Sequence, residues 1–243
     1  MKKFLFATAV SVMFGCMTVN ASSFIDVQSR DWFYPYVEAL VEVGIIDNSF
    51  DYYRPGDSLN RAEAVKVIVE AAGYEYVEPA VPTFRDVMPG IWYYKYVETA
   101  AAHGVVSGYA DRPGYFGPGD NVTRGQFAKM GVISQNFEQI DVDAVSAPTF
   151  PDVSESRWSF VYVETAYLAG IFSGYDDGTF RPDNDINRAE MAKMIYGFMP
   201  DDQVGPLCLR EGDDVEEGDS CCSGLVEYEG VCMDPYYIPV PTI

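Results

Sequence analysis

Apolar positions recur along the chain with a helical period, and one stripe appears three times. Val37, Leu40, Val41 and Gly44 stand at i, i+3, i+4 and i+7, and Val97, Ala100, Ala101, Gly104 and Val163, Ala166, Tyr167, Gly170 repeat the spacing. Each stripe predicts a helix ended by a glycine in left-handed backbone. An apolar pair follows every time: Ile45-Ile46, Val105-Val106 and Ile171-Phe172. A polar, Gly- and Pro-rich stretch comes next, and in the third copy it reads Ser173-Gly174-Tyr175-Asp176-Asp177-Gly178-Thr179-Phe180-Arg181-Pro182. It runs into a second amphipathic segment that opens with Asn60-Arg61-Ala62-Glu63, Thr123-Arg124-Gly125-Gln126 or Asn187-Arg188-Ala189-Glu190. Asn or Thr followed three residues later by Glu or Gln is a capping box, in which each side chain satisfies an amide that the helix leaves unpaired. Every copy therefore predicts helix, loop, helix.

The repeat extends upstream of the first helix. Phe24-Ile25-Asp26-Val27, Phe84-Arg85-Asp86-Val87 and Phe150-Pro151-Asp152-Val153 each precede a tryptophan, Trp32, Trp92 or Trp158, by six residues counted from the Asp. The Trp-to-Arg spacing is then 29, 32 and 30. Such self-similarity means an array of one supersecondary unit. A unit of roughly 50 residues buries too little surface to stand alone, so the three are expected to pack together. The boundaries read as a leader at 1–21, repeats at 22–73, 83–136 and 149–199, a linker at 200–207 and a tail at 208–243. Polar, Pro-terminated connectors separate the repeats. Phe24, Phe84 and Phe150 are expected in the core.

Three arginines sit oddly. Arg61, Arg124 and Arg188 fall in the first turn of their helices, where the helix dipole favours acids. Local helix physics does not explain them. They are either repeated structural ion pairs with an Asp or Glu of the adjoining unit, or repeated anion sites. Lys66, Lys129 and Lys193, five residues further on, are expected to be solvated.

Composition narrows the choice. Lys2 and Lys3, an apolar run through Phe14 and the small residues before Ser22 make residues 1–21 a secretory signal peptide, cut after Ala21. The run is too short and too broken to anchor in a membrane, and no other segment of the mature chain qualifies. Met13 and Phe14 before Gly15-Cys16 fit a lipidation signal poorly. Losing two lysines takes the formal charge from −21 to −23. That acidity argues against nucleic acid and against broad attraction to an acidic polymer. An anionic ligand has to be gripped locally by a few placed cations. The abundant tyrosines suit half-wet groove walls and carbohydrate faces, and suit small cores equally well.

No nucleophile motif, metal pair or phosphate loop occurs, and the single histidine, His103, closes a helix, so no enzyme, cofactor or metal is expected. Asp176-Asp177-Gly178 and Asp183-Asn184-Asp185 lack the spacing of a calcium loop. Cys208, Cys221, Cys222 and Cys232 lie close together in the tail, as in a small disulfide framework of an oxidising compartment. Zinc is a poor fit, for the spacing is wrong and no histidine is near.

Taken together, Phe-x-Asp-Val, Trp, the Gly-ended helix, Ser-Gly-Tyr-x-Asp-Gly-x-Phe-x-Pro and the Asn-Arg-Ala-Glu helix start resemble the S-layer homology domain, in three copies over about residues 24–199. The resemblance implies a mainly α fold, three helix-loop-helix units in a pseudo-threefold assembly around a central helix bundle, with grooves between neighbours. It also implies non-covalent anchoring of an exported protein at the cell envelope, through a cell-wall polysaccharide that often carries a pyruvylated sugar. A pyruvyl ketal is a carboxylate on a sugar ring, suited to paired hydrogen bonds from arginine. Carried over by motif, the polysaccharide-binding candidates are Asp26, Asp86 and Asp152, Trp32, Trp92 and Trp158, and Arg61, Arg124 and Arg188. Each Asp has the alternative of capping its local turn, and each Trp that of being half core and half groove wall. A structural coat component that makes mainly contacts with envelope protein partners is the alternative function, and a hydrolase using unrecognised carboxylates is a more distant one.

Departures from the pattern carry their own expectations. The first loop, Asp47-Asn48-Ser49-Phe50-Asp51-Tyr52-Tyr53-Arg54-Pro55, lacks the glycines, which predicts an impaired groove beside it. Arg188 is the favoured contact and Arg61 the least favoured. Gly125 and Gly131 predict a weaker second-unit helix. In the tail, Cys221-Cys222-Ser223-Gly224-Leu225 resembles knottin-like modules with one cysteine pair missing. That resemblance implies bridges Cys208–Cys222 and Cys221–Cys232. Neighbouring cysteines rarely bridge each other, so Cys208–Cys221 with Cys222–Cys232 is the competing pairing.

Overall fold

The computed structural model describes residues 22–142, 145, 147–200 and 203, and the backbone of 208–209, 220–221, 226–228 and 231–233. The segment expected to be a signal peptide, most of the expected linker and the expected pairing of the four tail cysteines lie outside the described residues. The fold is mainly helical. Its helices are α1 (Tyr34–Glu42), α2 (Arg61–Ala71), α3 (Tyr94–Ala102), α4 (Arg124–Ser134), α5 (Phe160–Leu168) and α6 (Arg188–Phe198). In the tail, β1 (Cys208–Leu209) pairs in parallel with β2 (Ser220–Cys221), and β3 (Val226–Tyr228) pairs antiparallel with β4 (Val231–Met233). Among the described residues, no helix is long and apolar enough to cross a membrane.

The two helices of each unit begin and end by different devices. In α1, α3 and α5 the chain leaves through Gly44, Gly104 and Gly170, at φ of 79°, 71° and 73°. The next amide, of Ile45, Val105 or Ile171, then turns back onto Leu40 O, Ala100 O or Ala166 O, which satisfies a terminal carbonyl and drives the apolar pair into the core. α2, α4 and α6 each carry a complete capping box, with Asn60–Glu63, Thr123–Gln126 and Asn187–Glu190 exchanging both bonds. Phe24, Phe84 and Phe150 are buried in the core. A carboxylate on each first helix ties down the entering chain. Glu38, Glu98 and Glu164 accept from the backbone N–H and hydroxyl of Ser23, Thr83 and Thr149.

The units close on one another in cyclic order. α2, α4 and α6 pack mutually, while α3 lies on α2, α5 on α4 and α1 on α6. Just before the second helices, Leu59 N–H donates to Ile186 O, Ile186 N–H to Val122 O and Val122 N–H to Leu59 O, at 3.1, 2.9 and 3.0 Å. Three segments that cannot form a sheet within one unit thus satisfy their backbone in the next.

The glycines of α4 have a reason beyond helix propensity. A Cβ on Gly131 would stand 2.1 Å from Cε2 of Phe198 on α6, and one on Gly125 would stand 3.0 Å from Pro182 O. Glycine there lets α4 approach the third unit closely. The intrinsic cost to the helix is offset by packing that no larger residue permits.

Candidate binding grooves

Each Phe-x-Asp-Val aspartate spends both oxygens on its own unit's loop. Asp26 accepts from the amides of Tyr53 and Arg54, Asp86 from Phe116 and Gly117, and Asp152 from Phe180 and Arg181, all at 2.7–2.9 Å. The second amide of each pair belongs to a residue with positive φ: Arg54 at 57°, Gly117 at 73° and Arg181 at 58°. That conformation is costly for arginine, and the carboxylate holds it in place. The aspartate clamps a loop 27 to 31 residues away rather than its local turn.

The first-turn arginines reach across unit boundaries. Arg61 Nε–H donates to Phe116 O at 2.8 Å, Arg124 Nε–H to Phe180 O at 2.9 Å and Arg188 Nε–H to Tyr53 O at 2.6 Å. The backbone follows the same route: the amides of Arg61, Arg124 and Arg188 donate to Asp120 O, Asn184 O and Asp57 O. Every second helix therefore plugs its N-terminal turn into the loop of the next unit, and the third plugs into the first. Tyr53 returns the contact by donating its hydroxyl to Arg188 O at 2.7 Å. Burial pushes that phenol well above its ordinary value.

The three arginines then part ways. Arg61 and Arg124 are both 5% exposed, and each guanidinium lies between two aromatic rings. Tyr109 and Phe116 flank Arg61, and Tyr175 and Phe180 flank Arg124, all with centroids at 4.7 Å. A further arginine stacks on the outer face of each tyrosine: Arg112 at 4.1 Å from Tyr109, held by Asp120, and Arg181 at 3.9 Å from Tyr175, held by Asp177. Arg124 also pairs with Glu190 at 3.2 Å, and the Tyr175 hydroxyl donates to the same carboxylate oxygen. Burial first, and the bond to Glu190 second, push the Tyr175 phenol up to about 12.

Arg188 lies over one ring among the described residues, that of Tyr53 at 4.8 Å, and it is half-buried. Among the described residues no carboxylate lies within 4.0 Å of it. Counting from the apolar pair, the residue matching Tyr109 and Tyr175 is Ser49. The path of the loop explains the difference. In the other two units a glycine precedes the tyrosine, and the loop closes through Tyr109 N–H to Tyr115 O and Tyr175 N–H to Thr179 O. Cβ atoms on Gly108 and Gly174 would lie 2.7 and 2.6 Å from those acceptor carbonyls. Asn48 replaces that glycine in the first loop, and Ser49 N–H turns to the Asp47 side chain instead.

The result is an open groove of about 1090 Å³ against the first unit. Its walls include Phe50 and Tyr52 of the loop, Glu63 and Lys66 of α2, Trp92 of the second unit and Arg188 of the third. The sequence predicts an impaired groove here, and the structure places an open one here, where no tyrosine matching Tyr109 or Tyr175 covers Arg188. Trp32, Trp92 and Trp158 are all about half exposed, at 55%, 53% and 52%. Of the three, only Trp92 lines the groove. Lys66, Lys129 and Lys193 are half-buried rather than free in solvent. Among the described residues no cluster of His, Cys, Asp and Glu has the make-up of a metal site.

Comparison with known proteins accounts for the repeat. The S-layer homology domain matches at residues 23–65, 83–128 and 149–192. An endoglucanase of Bacillus sp. (strain KSM-635) is 30% identical over 179 residues, which are 72% of this chain and 18% of that protein. S-layer protein EA1 of Bacillus anthracis is 29% identical over 190 residues, 78% of this chain and 21% of that protein. A cellulosome-anchoring protein of Acetivibrio thermocellus is 32% identical over 103 residues, 42% of this chain and 22% of that protein. The chain thus spans about a fifth of these relatives, and what the endoglucanase and the S-layer protein have in common with it is this repeat region. On these matches, and on the repeat itself, the chain belongs to the S-layer homology domain family and carries three tandem copies of the domain.

Proposed function

We propose that this chain anchors an exported protein non-covalently at the cell surface, by binding cell-wall polysaccharide in a groove between its units. The units form a pseudo-threefold assembly, a reading supported by the cyclic docking of each second helix into the next loop. The observation that carries the function is the open groove lined by an indole, a phenyl ring, a phenol and an arginine that has no carboxylate partner among the described residues. Aromatic faces pack sugar rings, and a guanidinium in such a wall selects an acidic substituent. In a chain of formal charge −21, that local grip replaces broad attraction. A pyruvyl ketal supplies the carboxylate without adding bulk.

Anchoring also accounts for the range of relatives, named as an endoglucanase, an S-layer protein and a cellulosome-anchoring protein. A non-catalytic anchoring role for the repeat region fits its presence beside such different names. Asp26, Asp86 and Asp152 act by shaping the loops, and Trp32, Trp92 and Trp158 offer stacking edges. The experiment is co-sedimentation of the purified chain with wall sacculi, before and after the pyruvyl groups are removed. Retention that depends on them is expected. Undiminished retention on stripped sacculi sinks the polysaccharide reading and favours contacts with envelope proteins.

A further inference from the structure

We infer that the chain has one polysaccharide site, in the groove beside the first loop, and that Asn48 and Ser49 determine which groove is open. This deepens the anchoring reading and rests on it.

The three grooves start from one design, an arginine laid against the loop of the next unit. In two of them the loop completes the arginine's surroundings by itself. Tyr109 and Tyr175 cover one face of Arg61 and Arg124, and Phe116 and Phe180 cover the other. The outer arginines Arg112 and Arg181, fixed by Asp120 and Asp177, close the stack from outside. Glu190 neutralises Arg124 directly. A carboxylate ligand approaching either arginine has to displace a ring, break a cation–π stack and, at Arg124, compete with a buried ion pair. Each of these is a loss that the ligand has to make good before it gains anything.

The first loop has no such cover. Asn48 stands where the closed loops have glycine, and the chain consequently opens at Ser49. Arg188 keeps its backbone anchor through Nε, lies over the Tyr53 ring and lines the groove. Lys66 lies on the same wall and adds a second cation. Among the described residues, no acid of that wall pairs with Arg188: Glu63 is engaged by the Asn60 amide and Asp47 by the Ser49 amide, and Asp51 lines the groove beside them. Trp92 supplies the stacking face from the second unit. A ligand with one carboxylate on a sugar ring finds all its partners here and at neither other arginine.

The test counts sites. Short pyruvylated oligosaccharides released from sacculi are titrated against the full chain by calorimetry. One site per chain is expected. Converting the first loop to the closed pattern, Asn48→Gly with Ser49→Tyr, should weaken binding at least tenfold while thermal stability holds. Tyr109→Phe, in a covered groove, should leave affinity and stoichiometry unchanged. Two or three sites per chain, or unchanged binding in the Asn48→Gly/Ser49→Tyr chain, overturns the inference while leaving anchoring intact. Failure of the unaltered chain to bind the oligosaccharide at all removes the anchoring reading together with the inference.

Discussion

At the scale of single residues, the arginine that opens each second helix is first a structural connector. Its place opposes the helix dipole only if it is viewed within its own unit. Seen with its neighbour, the side chain leaves the helix end for a carbonyl of the next loop. Because Arg124 also holds Glu190 in a buried pair, Arg124→Ala strands a carboxylate and should cost about 3–5 kcal/mol, read as a lowered midpoint in urea. Arg188→Ala removes no such pair and should cost clearly less, while abolishing sacculus retention. Equal losses of stability for the two variants contradict this division of roles. The Tyr175 phenol makes a second prediction. Its folded pKa is raised to about 12 from 10.0, so the stability it carries is complete below pH 10 and lost as pH climbs through the folded value. Asp177 works in the opposite sense. The Thr179 hydroxyl and Arg181 hold its carboxyl below the usual 3.8, so its contribution is present above pH 4 and lost on acidification through the lower folded value. Melting temperature against pH should therefore be flat between those limits, and Tyr175→Phe should soften the alkaline fall. An unchanged alkaline limb in that variant excludes Tyr175 as its source.

At the scale of elements, what was legible in the sequence is what lies within a few residues. The capping boxes, the glycine-ended first helices and the buried apolar pairs all depend on neighbours three to six positions away, and each is found where the pattern predicts it. Partners far along the chain were not legible. Asp26, Asp86 and Asp152 appear as three copies of one residue, but nothing local says that both oxygens belong to a loop about 30 residues on. The same holds for Tyr109 and Tyr175. The signal was present as the mismatch at Ser49, but its meaning reverses once the tyrosines are seen as covers rather than as walls. Gly131 is a further case, for its cause lies on another helix. Gly131→Ala should gain up to about 1 kcal/mol in helix propensity and lose about 1–3 kcal/mol to the clash with Phe198. A net destabilisation is expected, with partial recovery when Phe198→Leu is added. A stabilised Gly131→Ala chain shows that α4 and α6 have room to part.

At the scale of the whole molecule, the contacts run in a ring: first unit to second, second to third, third to first. Opening the ring by omitting the third unit leaves Arg124 without Phe180 O and Glu190, and Leu59 N–H without Ile186 O. A fragment ending at residue 136 should therefore lack a cooperative thermal transition, as circular dichroism will read directly. A sharp two-state melt for that fragment refutes the dependence. The ring also bears on timing. The open groove takes its loop and Lys66 from the first unit and Arg188 from α6 of the third, the later-made one. A ribosome has to release α6 before that groove exists, so an unfinished or clipped chain carries no grip at its front end. Attachment becomes a report that all three repeats have been made.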